Sequence, residues 1–415
     1  MAFATLAPLR HGSFSLALTS SFVSSVGTWM QSVALGIYLT ETTHNPLWLG
    51  LLTVSAWTPA VIGSPLGGVV ADRWSRQRWI QLNNFLMAAT ASALAVAAWT
   101  HHLSPPLACF LAMGEGLCGS ASWAAWQSLL PDLVESNEVL AAVSLSSAQF
   151  NLGRIIGPVF AAVALAFGSV ALCFIVNAAS FLFVLVIFSF VHSAPRAPIV
   201  TPVRFVSETV AGARRAWAVA GCRNPIIAVG VVALVASPFI TLVPAMAIIV
   251  LHAGKTGTTW LVTAQGVGAV GGALVLPAVA QRTSRLAVLR AAVATLAVSL
   301  AAYGLSTNLT AAAASMVLVG GAYVGTLTGL NTSVQVHAPR ETRSRILALY
   351  TLSLSIFYPL GAFAQAAAAK LAGVRAVTLG AAGALALLVV SVELLRPNYW
   401  RAMGTPTTSS PLLAD

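Results

Sequence analysis

Two ionisable side chains stand alone inside long apolar runs, and chemistry within a membrane would have to start from them. Glu115 lies in MGEGLCG and Arg154 in FNLGRIIGP. On insertion scales such a charge costs about 2.5–3.5 kcal/mol at the centre of a bilayer, so it is kept only where it faces a polar interior. Glu115 is about ten residues from the outer end of its run, roughly 14 Å at 1.5 Å per helical residue. Arg154 is in the middle of the next run, at a similar depth. Consecutive helices tend to be neighbours, so the two are expected to meet in a central cavity, directly or through water. Two readings are open. In one, Glu115 takes up a proton and frees Arg154, coupling proton entry to substrate release. In the other, the pair is a fixed salt bridge that orders two helices.

A second pattern is GGVVADRWSRQR (67–78). Here Gly68 lets the end of the preceding run pack closely on a neighbour, and Asp72 can face a helix N-terminus or a basic partner. Arg73, Arg76 and Arg78 hold the turn that follows on the cytoplasmic side. In GRIIGP, Gly153 and Gly157 have the spacing that lets two helices approach, and Pro158 bends the run; Gly63/Gly67 and Gly325/Gly329 share that spacing. Gln31, Trp57, Gln149, Gln265, Asn331 and Tyr358 are polar or aromatic near mid-run. Each either lines a substrate cavity or hydrogen-bonds between packed helices. The aromatics suit a bulky, partly apolar ligand.

The elements that must carry these residues follow from composition. A soluble domain has roughly 25% charged residues. This chain of 415 residues has 7%, with 58% hydrophobic residues and a mean hydropathy of +0.87, so its solvent is lipid. A spanning helix needs about 20 apolar residues. Runs of that length lie near 13–38, 47–71, 79–100, 106–130, 142–166, 169–191, 225–251, 257–280, 286–306, 310–336, 344–368 and 373–395. The first has no small-residue cleavage site and is read as a retained span. An even count puts both ends on one side, and Arg10, Arg396 and Arg401 make that side the cytoplasm.

Of the 21 Lys and Arg, only Arg154, Lys255, Lys370 and Arg375 lie away from the cytoplasmic segments and the run ends that adjoin them. The net charge of +11 is therefore a topology signal and not a nucleic-acid surface. One loop is anomalous, with Asp132, Glu135 and Glu138 after the fourth run. Trp48, Trp79 and Trp99 sit near run ends as interface anchors. Cys109, Cys118, Cys173 and Cys222 show no CxxC or Cys/His spacing, so neither a disulfide framework nor a metal site is expected. No HExxH, G-x-S-x-G or phosphate loop is present, which argues against an enzyme, a cofactor and direct ATP drive.

ADRWSR (71–76) returns as AQRTSR (280–285), and Pro131 returns as Pro339; both offsets are close to half the chain. Two six-span halves is the parallel-repeat plan of a rocking transporter. The division is 1–191, an N-terminal six-helix bundle; 192–224, a linker; 225–396, a C-terminal bundle; and 397–415, a cytoplasmic tail. In the linker Val206, Val210, Ala213 and Trp217 recur at helical spacing, with Arg204, Glu208 and Arg215 on the other face. That predicts an amphipathic helix on the membrane surface, either a tether or a regulatory site.

With this layout, GGVVADRWSRQR resembles the loop between spans 2 and 3 of the major facilitator superfamily. Gly68, Asp72, Arg73 and Arg76 match; Ser75 stands where the family has a second Gly, and Gln77 where it has Arg or Lys. In the repeat copy Pro277 and Gln281 take the Gly and Asp positions. GTWMQSVA (27–34), SLLPDLV (128–134), FNLGRIIGP (150–158) and RSRILALY (343–350) look like the branch that includes siderophore (enterobactin) exporters and macrolide-type efflux pumps. In that branch an Arg recurs at the position of Arg154, and an Arg often stands where this chain has Trp126. GRIIGP is also similar to the span-5 motif of drug/proton antiporters, with Ala161 and Ala162 where a Gly pair is usual.

The resemblance implies an all-α integral membrane fold, with 12 transmembrane helices in two six-helix bundles. It implies a monomer in a bacterial inner (plasma) membrane. It makes Gly68, Asp72, Arg73 and Arg76 a conformational gate that latches the outward-open state. The implied function is secondary, proton-coupled export of a bulky amphipathic small molecule, a siderophore or drug, by alternating access. The alternatives are a facilitator, importer or lysolipid flippase on the same fold, and more remotely a non-transporting sensor or enzyme.

Overall fold

Apolar runs ended by Ser, Asn, Gly or Pro become helices, and no strand occurs among the described residues. The structure, a computed structural model, describes residues 6–167, 169–192, 214–339, 342–396 and 398–404, without the side chains of Asp72 and Ser344. In the first half the spans are α1 (Gly12–Thr43), α2 (Leu47–Trp57, then Ala60–Arg73), α3 (Arg76–Trp99), α4 (Pro105–Leu129), α5 (Val139–Phe167) and α6 (Val170–Phe188). In the second half α7 is Ala220–Val235, Phe239–Ala245 and a π-turn at Met246–Val250. There follow α8 (Gly254–Arg282), α9 (Arg285–Leu305), α10 (Leu309–His337), α11 (Arg343–Ala372) and α12 (Val374–Leu395).

Eleven of these are long and apolar enough to cross a membrane. The twelfth, α4, has 25 residues. That is enough for a hydrocarbon core of about 30 Å; Glu115 and its Gly and Ser residues lower its hydropathy. Two spans are broken where an unbroken helix is expected. Pro59 interrupts α2, and Pro238 and Pro244 lie in α7, because proline removes an amide donor and crowds the preceding turn. The break in α7 is stitched by Tyr323 of α10, whose hydroxyl donates to Ser237 Oγ at 3.0 Å.

The internal repeat survives in the caps. Ser75 accepts the Arg78 amide at the start of α3, and its repeat partner Ser284 accepts the Ala287 amide at the start of α9. Ser104 and Asn308 do the same for α4 and α10. A side-chain oxygen at this position satisfies one of the orphan amides of the first turn. Ser75 therefore has a reason to stand where the family pattern has glycine.

By contacts the chain forms two compact units, Met1–Val203 with Thr241–Gly266, and Arg204–Ile240 with Val267–Asp415. In the first, Phe14, Trp126, Leu129, Leu133 and Phe188 form one core, and Met87, Ala91 and Phe181 a second one. In the second unit α8 and α10 approach at Gly272, where a Cβ would lie 2.8 Å from Gly321 Cα. Large apolar side chains such as Phe167 and Leu395 point outward, as lipid requires.

Most of the expected linker helix, 193–213, lies outside the described residues; 214–218 is helical, with Ala216 buried and Trp217 exposed. After α12 the chain folds back. Tyr399 donates to the Asn224 carbonyl at 2.8 Å, and the Asn224 amide donates to the Tyr399 carbonyl at 3.0 Å. Burial pushes the Tyr399 hydroxyl pKa up to about 12, against the opposing pull of Arg223.

Candidate functional site

A lone polar side chain in an apolar helix must turn inward to find a partner. Three do so together in the first unit. From α1 the Gln31 amide donates to Glu115 Oε2 on α4. From α6 the Asn177 amide donates to Gln31 Oε1 at 2.9 Å and to Glu115 Oε1 at 3.3 Å. Ser180 donates to Asn177 Oδ1 at 3.2 Å. Gln31 and Asn177 are buried and Glu115 is partly buried. The network fits because Gly27 has no side chain: a Cβ there would lie 2.6 Å from both Asn177 Oδ1 and Ser180 Oγ.

Arg154 is elsewhere. Its guanidinium lies over the Trp29 ring, 5.3 Å from the centroid. The expected Glu115–Arg154 pair is therefore replaced by two separate sets of contacts. The carboxylate takes neutral amides from α1 and α6, and the cation takes an indole face, a favourable place for guanidinium. Trp29 also meets Phe150 edge-on at 6.1 Å, and Phe150 meets Trp123 at 5.6 Å. Gly153 and Gly157 bring α5 onto α1: Cβ atoms there would fall 2.7 Å from Ser25 Cβ and 2.6 Å from Trp29 Cβ. Pro158, next to them, is buried.

The acidic loop after α4 is explained by the basic residues it meets. Arg76 donates to the Ser128 carbonyl at 2.9 Å and pairs with Asp132. Arg10 pairs with Glu135 at 2.9 Å and Glu138 at 3.1 Å, and His11 meets Glu138 at 2.7 Å. Arg73 is exposed, and the side chain of Asp72 lies outside the described residues. Gly68 departs from expectation, because a Cβ there would meet nothing within 4 Å. Gly67 makes the close approach instead, against the Ala121 backbone of α4. One residue is about 100° of helix, enough to move the contact to another face. Trp126, where an Arg often stands, is buried and donates to Ser146 at 2.9 Å, tying α4 to α5.

Of the remaining candidates, Trp57, Gln149 and Gln265 lie in the first unit and Asn331 and Tyr358 in the second. Gln149 links α5 to α1 through Ser21 at 3.2 Å and Ser25 at 3.4 Å. Gln265 is buried on α8, its amide nitrogen without a hydrogen bond. Asn331 accepts from Gln335, one turn along α10, at 2.6 Å. Trp57 is exposed and Tyr358 buried. Sequence reasoning missed Asn177, Trp29 and Gly27. Asn177 carried a usable signal as the one amide in the apolar run of α6.

A family model described as transmembrane secretion effector matches residues 3–407. The chain belongs to that family, within the major facilitator superfamily. Over 151 residues it is 28% identical to the staphyloferrin A transporter of Staphylococcus aureus, covering 36% of this chain and 38% of that one. Over 161 residues it is 27% identical to the enterobactin exporter EntS of Salmonella typhimurium, covering 39% of each. The match therefore spans well under half the length of these relatives. A bacterial homolog to the human lysosomal transporter Spinster superposes with a TM-score of 0.74 at 14% identity, over 97% of this chain and 99% of that one, which shows the fold. The family is one of multi-pass membrane transporters, not of enzymes.

Proposed function

We propose that this major facilitator protein is a proton-driven exporter of a bulky, partly apolar small molecule, with Glu115 as the proton site. The observation that carries the reading is the set of Glu115 contacts. Among the described residues both hydrogen-bond partners of the carboxylate are amides. An ionised carboxylate only accepts hydrogen bonds, whereas a protonated one also donates. Uptake of a proton adds an O–H that needs an acceptor, which Gln31 or Asn177 can supply by turning its amide over. Because those amides belong to α1 and α6, protonation on α4 is passed to two other helices as a rearrangement of contacts. Gln31 and Asn177 are positioning residues in this scheme, and Arg154 is a cavity charge. Both termini lie in the cytoplasm of a bacterial cell, the protein works as a monomer, and the turn carrying Asp72, Arg73 and Arg76 gates the change of access.

Uptake of a fluorescent drug into inverted vesicles, with and without an imposed proton gradient, tests this reading. Gradient-dependent uptake is expected, and it should be lost in Glu115→Gln while expression and melting are kept. Uptake that ignores the gradient would make the protein a facilitator, and a gradient response kept in Glu115→Gln would remove Glu115 from coupling.

A further inference from the structure

On α5 the polar residues Ser144, Ser147, Asn151 and Arg154 are spaced three and four apart, which places them on one helical face. Ser144, Ser147 and Asn151 are exposed and Arg154 is partly so. On the same side Phe150, one turn before Arg154, is 39% exposed, and Trp123 of α4 is 41% exposed. Trp29 closes the group from α1, under the guanidinium and edge-on to Phe150. Ser144 and Asn151 donate back to the Leu140 and Ser147 carbonyls of α5, each at 2.8 Å, so it is the guanidinium of Arg154 at mid-span that rules out a lipid face, since hydrocarbon offers a charge no partner. The surface carrying these side chains is therefore open to water or to a ligand.

We propose that Trp29, Trp123, Phe150 and Arg154 form a subsite for an aromatic anion, a planar ring bearing a carboxylate. The inference rests on the reading of this chain as a small-molecule transporter and names its substrate class. The Arg154 guanidinium lies over the Trp29 ring, 5.3 Å from its centroid, and a guanidinium carries a planar fork of N–H groups whose geometry suits a two-oxygen anion. Phe150 and Trp123 offer ring surfaces for an aryl group, which packs on them offset or edge-on. Ser147 and Asn151, a turn away on the same face, are placed for polar ring substituents. Arg154 would repel a cationic aromatic ligand. An aliphatic carboxylate would leave Phe150 and Trp123 unused.

The test is calorimetric binding to the purified full chain in detergent, with salicylate, benzylamine, benzyl alcohol and glutarate as probes. Salicylate should bind at least about tenfold more tightly than the other three. Arg154→Gln should weaken salicylate about tenfold or more, the loss expected for one charge-assisted contact. Arg154→Lys should recover part of that loss, and Phe150→Leu should cost a few-fold. If Arg154→Gln does not fold, Arg154→Lys and Phe150→Leu decide. Equal binding of benzyl alcohol, benzylamine or glutarate overturns the proposal, as does salicylate affinity that ignores the substitutions, or no salicylate binding at all. No gradient is needed for this measurement. Absent salicylate binding beside gradient-driven uptake of another drug sinks the subsite alone, whereas intact binding without any flux sinks the export reading alone.

Discussion

Replacing Gly67 with alanine would place a Cβ 2.6 Å from Ala121 Cα and 2.8 Å from its carbonyl carbon. Both are backbone atoms of α4, so no side-chain rotation relieves the contact. Carbon atoms pack at about 3.5–4.0 Å, so α2 would have to withdraw by about 1 Å. The seam is tight along its length. A Cβ at Gly63 would lie 2.7 Å from the Leu117 carbonyl oxygen, and one at Gly116 would lie 2.9 Å from the Ala56 carbonyl carbon. Withdrawal at one point therefore loosens the rest, and overpacking of this kind costs about 1–3 kcal/mol. At Gly68 the added Cβ meets nothing within 4 Å, and alanine is favoured over glycine in a helix by about 0.5–1 kcal/mol. The two variants should differ by roughly 1.5–4 kcal/mol. Each would be made as a fluorescent fusion, extracted in detergent and heated, with the surviving monodisperse peak followed against temperature. Gly67→Ala should melt below the parent and Gly68→Ala at or above it. Equal melting of the two, or a loss confined to Gly68→Ala, would refute the packing argument. Normal melting of Gly68→Ala with lost flux would instead put its close contact in another conformation, as a gate requires.

Three further outcomes follow from the contacts. Asn177→Ala leaves Gln31 Oε1 and Glu115 Oε1 without their donor; it should cost about 1–3 kcal/mol and lower the melting temperature. Arg76→Ala removes one cation from Asp132 and a donor from the Ser128 carbonyl; the loss, about 1–3 kcal/mol, should be partly recovered in Arg76→Ala/Asp132→Ala, and no recovery would deny the pair any role. The Tyr399 hydroxyl, raised in the folded protein from 10.0 to about 12, favours folding below its unfolded pKa. That contribution should fade as pH rises from 10.0 through about 12, and melting curves of Tyr399→Phe should lack this component.

Much of the fold was legible because the bilayer leaves few choices. About 20 apolar residues per span, with basic turns between alternate spans, mark out the helices and their order. What stayed hidden was rotational phase. Gly67 and Gly68 differ by one residue, and only the angle of α2 against α4 decides which of them is in the seam. The same limit misdirected the pairing of Glu115. Opposite charge at similar depth pointed to Arg154, yet the faces that meet carry Gln31 and Asn177. The loop acids were legible as an exception to the charge rule but not as partners, because Arg10, His11 and Arg76 are far from them in sequence. The break in α7 was hidden for another reason, since an apolar run looks the same whether or not its prolines interrupt it.

Two of the four short motifs that mark this branch, GTWMQSVA and FNLGRIIGP, acquire a physical meaning when α1 is followed along its length. Gly27 makes room for Asn177 and Ser180, Trp29 carries Arg154, and Gln31 holds Glu115. Trp29 and Gln31 are two residues apart, about 200° of helix, so they serve opposite sides of one rod. A carboxylate and a guanidinium that never touch are thereby fastened to the same helix. Under the proposed function this replaces the direct ion pair as the means of coupling. A proton at Glu115 resets the Gln31 contact, α1 responds as a body, and the setting of Trp29 under Arg154 changes with it. The linkage is reciprocal, so a ligand that reorders Arg154 and Trp29 must shift proton binding at Glu115 by the same free energy. One helix with contacts on two sides meets that condition without requiring that the two charges meet.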